Sequence, residues 1–118
     1  MKTIKNDNSN ELIIKNSKFI TVLIKIDTNT DINNILENIK EKYPKATHYC
    51  YAYITEDSKK SSDDKEPSGT AGMPIYSILE KNNLNNKMIC VVRYFGGTKL
   101  GAGLLTRSYL KSASEVTK

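Results

Sequence analysis

The stretch KMICVVRYFGGTKLGAG, residues 87–103, decides the fold. Its first half, Lys87–Tyr94, is a dense run of apolar and β-branched side chains and reads as a strand. Its second half holds four of the chain's six glycines. A helix is expected from about Ala102 toward the terminus. A strand that turns through glycine directly into a helix is a building unit of a layered α/β domain.

Working outward, Asn82–Asn86 is a turn, and before it Pro74 suits the first turn of a short helix that buries Ile75, Ile78 and Leu79. Glu56–Gly72 reads as a long polar loop. His48–Thr55 is a strand with His48, Cys50, Ala52 and Ile54 on one face and Tyr49, Tyr51 and Tyr53 on the other. Ile32, Ile35, Leu36 and Ile39 recur at helical spacing, with Thr30 as the expected N-cap and Pro44 as the stop. Lys18–Ile26 is a strand, Asn16-Ser17 a turn, and Glu11–Lys15 a short strand. Residues 1–10 are polar and expected to fray. The predicted order is β-β-α-β-α-β-α, an α+β two-layer sandwich with its helices on one face of the sheet.

The length of 118 residues suits a single domain, and 38% apolar with 26% charged residues is a globular composition. The longest apolar runs fall far short of the roughly 18 to 20 residues that span a bilayer. Residues 1–10 lack the apolar core of a secretory signal, so a cytoplasmic location is expected. Cys50 and Cys90 stand in strand-like runs without metal-ligand spacing, and read as buried structural thiols with no disulfide. The net charge of +5 is uneven. Residues 1–80 carry 11 Lys against 12 Asp and Glu, whereas residues 81–118 carry seven basic residues against Glu115 alone. Asn, Ile and Lys together make 41 of 118 residues, a bias that an AT-rich genome produces without selection for binding. That bias accounts for the lysines better than for Arg93 and Arg107.

Both glycine clusters precede helices, where backbone N–H groups attract anions. Tight turns are the plainer reading of the same glycines. Neither cluster fits a phosphate-loop or dinucleotide fingerprint. In the second cluster Arg93, Tyr94, Gly96, Gly97, Lys99, Gly101, Gly103 and Arg107 form a candidate anion or RNA site, with Phe95 and Tyr109 nearby to stack on bases. In the first, Asp63, Asp64 and Glu66 could share a Mg²⁺ with a substrate phosphate, although acidic loop residues are ordinarily just solvated. His48 is the sole imidazole, and its strand face favours a half-buried, hydrogen-bonded role over catalysis.

Four blocks carry a family resemblance: Lys15-Asn16-Ser17-Lys18-Phe19-Ile20; Thr47-His48-Tyr49-Cys50-Tyr51-Ala52-Tyr53; Ser62-Asp63-Asp64-Lys65-Glu66-Pro67-Ser68-Gly69-Thr70-Ala71-Gly72; and Val92-Arg93-Tyr94-Phe95-Gly96-Gly97-Thr98-Lys99-Leu100-Gly101-Ala102-Gly103. In this order they resemble the N-terminal domain of the YigZ/IMPACT family, with His48, Gly69, Thr70 and Gly72 among the motif positions. The resemblance implies a fold like the second domain of ribosomal protein S-five, with a left-handed βαβ crossover. It also implies a translation-linked regulatory module, non-enzymatic on balance, whose partner is RNA, the ribosome or a translation-control protein. Eukaryotic IMPACT proteins restrain a translation-control kinase by competing for its activator. Rival readings are a Mg²⁺-dependent enzyme or sensor for a phosphorylated small molecule, and a pure protein-interaction domain. The smaller ferredoxin-like C-terminal domain of bacterial members has no counterpart in these residues, so the chain is expected to be the first domain of a longer protein. Lys65 and Leu104 stand where the family usually has Gly. The first is expected to alter a turn, and the second to add bulk at the start of the last helix.

Overall fold

The computed structural model describes residues 8–118. Its elements are β1 (Ser9–Ile14), β2 (Ser17–Lys25), α1 (Ile32–Lys42), β3 (His48–Ile54), β4 (Lys59–Ser62), α2 (Gly72–Lys81), β5 (Lys87–Tyr94) and α3 (Gly101–Val116). The strands form one sheet in the order β1-β2-β5-β3-β4, every neighbouring pair antiparallel. The α+β sandwich expected from the element order is present.

Four local readings are corrected. Ser9 and Asn10 do not fray. They pair with Val22 and Thr21 in β1, and Asn10 is buried; residues 1–7 of the expected frayed segment lie outside the described residues. The β1–β2 turn is Lys15-Asn16, both at positive φ, which leaves Ser17 free to begin β2 opposite Ile14. The N-cap of α1 is Asp31, whose carboxylate accepts the Asn34 N–H, while Thr30 turns back to accept the N–H of Asp27. Within the polar loop, Lys59–Ser62 forms a fifth strand at the sheet edge. Its apolar signal is absent because it has neighbours on one side only, and its lysines suit an edge that must not recruit another strand.

Helices lie on both faces of the sheet. The alternation along β3 and β5 explains why. Cys50, Ala52, Ile54, Ile89 and Val91 pack with Ile75 and Leu79 of α2 and with Leu105, Tyr109 and Ala113 of α3. Tyr51, Met88, Cys90 and Val92 face the other way and pack with Ile39, Ile35 and Leu36 of α1. The expectation that all helices share one face is therefore overturned: β5 is the central strand, and six of its eight residues are buried. The helical period of α1 was visible in sequence, but which face it would cover was not.

This arrangement fixes the hand of the crossovers. Strands β2 and β3 are parallel and flank β5, and α1 joins them over one face. Strands β4 and β5 are parallel and flank β3, and α2 joins them over the other. From the first to the second, strand direction, lateral direction and face are all reversed, so the two connections have opposite hands. One of them is left-handed, against the strong right-handed preference of such units.

Candidate functional site

Three neighbouring strands set the floor of the site. Register places Phe19 of β2 beside Arg93 of β5, and Arg93 beside His48 of β3, all on the face covered by α2 and α3. Arg93 has a side-chain exposure of 6%, and Glu66, from the loop between β4 and α2, of 3%. Their contact is bifurcated: Arg93 Nη1 donates to Glu66 Oε1 at 3.0 Å and to Oε2 at 2.8 Å, and Nη2 donates to Ser17 Oγ at 3.2 Å. The Tyr109 hydroxyl of α3 donates to Glu66 Oε2 at 2.5 Å, and His48 Nε2 lies 3.3 Å from Oε1. A buried carboxylate is tolerable only with this many donors. The Arg93 guanidinium lies 5.6 Å from the Phe19 ring centroid and 5.7 Å from that of Phe95. Its Nε–H is buried and has no partner.

Two further groups stabilise the floor. The Cys50 thiol lies 3.3 Å from the Tyr109 hydroxyl and 3.2 Å from the Asp63 carbonyl oxygen. Burial pushes both the Cys50 thiol and the Tyr109 phenol far up, so both remain neutral hydrogen-bonding groups.

Above the floor opens a cavity of about 420 Å³, lined by Thr47, His48, Glu66, Pro67, Arg93, Phe95, Lys99, Leu100, Gly101, Ala102 and Leu105. The N-terminus of α3 borders it. No side chain caps this helix, and its first turn contains no acidic residue. Gly101 starts the helix at φ +76, a conformation that a side chain would strain. The Arg107 guanidinium folds back over the first turn, since a Cβ on Gly103 would stand 3.4 Å from its Nη1. Phe95 is 47% exposed at the rim.

The predicted site residues thus separate. Arg93, Lys99, Gly101, His48 and Glu66 share the cavity, whereas Gly103 and Arg107 lie on α3 outside its lining. Gly96 and Gly97 form the loop that leads to it. Gly96 is pressed against the β1–β2 turn, where an added Cβ would meet the Asn16 carbonyl carbon at 2.1 Å. Tyr94 belongs to the opposite face, where its hydroxyl donates to the Pro44 carbonyl. Tyr109 is wholly buried, which leaves Phe95 as the exposed ring. Arg93 supplies the floor, with Nη1 engaged by Glu66 and Nη2 by Ser17.

The acidic segment also divides. Asp63 receives the N–H groups of Gly69, Ala71 and Gly72 at the start of α2. Asp64 accepts the Tyr49 N–H at 2.7 Å, and its carbonyl oxygen meets His48 Nδ1 at 2.7 Å. Asp63, Asp64 and Glu66 therefore serve three different places. Among the described residues no three His, Cys, Asp or Glu side chains converge as a metal site. Asp64 and Lys65 both take positive φ, which shows why glycine would suit the Lys65 position. Leu104 is half-buried against the core and does not line the cavity. Thr70 is buried and bonds the Pro67 carbonyl. An added Cβ on Gly72 would stand 2.8 to 3.0 Å from the backbone of Ser62, whereas Gly69 serves by its φ of +81.

Sequence reasoning passed over Ser17 and Thr47, whose hydroxyls accept the N–H groups of Gly96 and Phe95 and so hold the loop at the cavity rim. Both lie inside the motif blocks, which was the available signal.

Asp63 carries a pH prediction. Burial pushes its carboxyl up, but the N–H donors of Gly69, Gly72 and Ala71 together outweigh this and hold it below the usual carboxylate range. The resulting stability is present above the unfolded carboxylate pKa, about 3.9, and is lost as pH falls through the lower folded value. Asp63→Ala should cost about 1–2 kcal/mol at neutral pH, the scale of a lost helix cap. Urea titrations at pH 7 and pH 3 are expected to show a smaller difference for the variant than for the parent.

Among the described residues no helix is long and apolar enough to cross a membrane, and Cys50 and Cys90 are both free and buried. The profile of the Impact N-terminal domain matches residues 15–117. The chain is 42% identical over 116 residues to the IMPACT family member YvyE of Bacillus subtilis, covering 96% of this chain and 54% of that protein. It is 38% identical over 101 residues to the IMPACT family member YigZ of Escherichia coli, covering 81% and 50%. It spans about half the length of these curated relatives. A crystal structure of a hypothetical protein superposes with a TM-score of 0.87 at 33% identity, covering 93% of this chain and 56% of the other. The two-domain translational regulator Yih1 superposes with a TM-score of 0.55 at 19% identity, covering 95% and 49%, a likeness of fold. By sequence match and by structure, the chain belongs to the Impact N-terminal domain family.

Proposed function

We propose that this domain is a translation-linked regulatory module that works by binding RNA, and that the rim of the α3 cavity is its contact surface. One observation carries the reading: an exposed aromatic ring, Phe95, and an exposed lysine, Lys99, stand together at the uncapped N-terminus of α3, with Arg107 over its first turn. A cationic helix terminus attracts phosphate, and a free ring stacks on a base of any identity. The buried charges behind this rim satisfy one another and serve to hold its shape. The Yih1 structure, described as a translational regulator, has the same fold.

The test is titration of single-stranded RNA at increasing salt. Affinity should fall steeply with salt. Lys99→Glu and Arg107→Glu should each weaken binding and flatten the salt slope by about one counterion. Phe95→Ala should weaken binding without changing the slope. Absence of binding at low salt would overturn the reading, and a ribosome association that survives nuclease would place the contact on protein instead.

A further inference from the structure

We propose that the open edge of β4 and the groove between it and α2 form a second interaction surface, which takes an acidic peptide as an added antiparallel strand. This surface is separate from the α3 rim and does not rest on the RNA reading.

The backbone supplies half of the site. Strand β4 is the last in the sheet, and among the described residues no strand pairs with its outer side. The Thr55 N–H bonds the Ser58 carbonyl across the turn before β4. The alternation of an antiparallel ladder then turns the peptide groups of Lys60 and Ser62 toward β3, and those of Lys59 and Ser61 outward. An extended peptide laid along that side would exchange hydrogen bonds with them, and its alternate side chains would set specificity.

Side chains supply the other half. A groove of about 250 Å³ opens beside the edge, lined by Lys59, Lys60, Ser61, Met73 and Tyr76. Gly72 holds the start of α2 against β4, since an added Cβ there would stand 2.8 to 3.0 Å from the Ser62 backbone. The helix buries Pro74, Ile75, Ile78 and Leu79, which leaves Met73 and Tyr76 beside the edge. Met73 is 55% exposed, more than any other large apolar side chain described, and the Ser61 hydroxyl donates to its sulfur at 3.6 Å. Register puts Lys59 and Ser61 on the groove side, opposite Ile54 and Ala52, and Lys60 on the α1 side, opposite Tyr53.

Charge decides the partner. Lys59 and Lys60 are exposed, and neither has an ion-pair partner among the described residues. No acid lines the groove; Glu56 and Asp57 lie in the preceding turn, and Glu80 sits one turn along α2 by the Tyr76 hydroxyl. Lysines on an edge repel a second copy of β4, and the same field favours a strand that carries carboxylates. A peptide of alternating acidic and aliphatic residues fits both sides. Its aliphatic side chains, opposite Lys59 and Ser61, enter the groove, and its carboxylates flank Lys60.

The probe is a capped, fluorescent hexapeptide of alternating Glu and Val, followed by anisotropy. It should bind, and the same peptide with Lys in place of Glu should not. N-methylation of the Val amides, which face β4 in this register, should abolish binding. N-methylation of the Glu amides, which face solvent, should leave it. In the protein, Lys60→Glu should weaken binding about fivefold, the scale of an exposed ion pair. Met73→Glu should weaken it more, because it adds repulsion and removes the apolar wall; an acid is well placed in the first turn of a helix. Ser61→Pro removes an outward N–H at an edge position that tolerates proline, and should abolish binding. Circular-dichroism melts verify folding, and the two Glu variants carry the test if Ser61→Pro does not fold. Absence of binding, equal binding by the two methylated peptides, or full affinity in a folded Met73→Glu or Ser61→Pro would each overturn the proposal. So would displacement of the peptide by single-stranded RNA, which would assign the lysine edge to nucleic acid.

Discussion

Arg93→Met should lower the unfolding free energy by about 3–5 kcal/mol, the cost of breaking a buried ion pair from one side. The Glu66 carboxylate, at 3% exposure, would lose both Nη1 bonds and retain only the Tyr109 hydroxyl and His48. Ser17 would lose its guanidinium contact as well, and with it part of the hold on Gly96. Equilibrium urea denaturation measures the loss. The double variant Arg93→Met with Glu66→Gln should be less destabilised than the sum of the single changes, because the neutral amide no longer needs a counter-charge. A loss in Arg93→Met below about 1 kcal/mol would show that the pair has the weight of an exposed one. Since single domains are stable by only about 5–15 kcal/mol in total, this variant should also be poorly recovered on expression.

Gly96→Ala should be of similar severity, at about 3 kcal/mol or more, toward the upper end of overpacking costs. The added methyl would overlap the Asn16 carbonyl carbon and oxygen, each at 2.1 Å, and the Ser17 nitrogen at 2.6 Å. These are backbone atoms of the β1–β2 hairpin, so no side-chain rotation relieves the clash. Either the hairpin turn or the β5–α3 loop must move. Gly97→Ala provides the contrast: its φ of +90 strains any side chain, but nothing stands within 4 Å of the new atom. It should cost about 1 kcal/mol. Thermal melts of the two variants check the order, and near-equal losses would contradict the contact geometry.

The contrast between those two glycines marks the limit of reading the chain unaided. Turns and helix starts were visible from glycine and proline positions, and the strand and helix order followed from periods of two and 3.6 residues. What the local pattern could not carry was which distant backbone a glycine touches, or which face of the sheet a helix covers. Tyr51, Cys90 and Val92 looked like ordinary strand residues, and only pairing reveals that they require α1 beneath them. Lys59–Ser62 pairs as an edge strand without an apolar signature, because strand pairing is made by backbone atoms. At the site, Arg93 and Glu66 were both legible as important charged residues. Their meeting across 27 positions was not, because nothing local in the sequence links the end of β5 to the loop that carries Glu66.

The two thiols occupy opposite faces of the sheet: Cys50 packs with the α2–α3 layer, and Cys90 with the α1 layer. Burial pushes Cys90 up to about 12 and Cys50 further still, so neither is reactive while its layer is closed. The domain therefore carries two native clocks. Pulse alkylation followed by peptide mass mapping would time the opening of each layer separately. Helix α1 buries only Ile39 fully, whereas α3 buries six residues. The Cys90 clock should run faster, which would make the α1 face the first part of the molecule to part from the sheet.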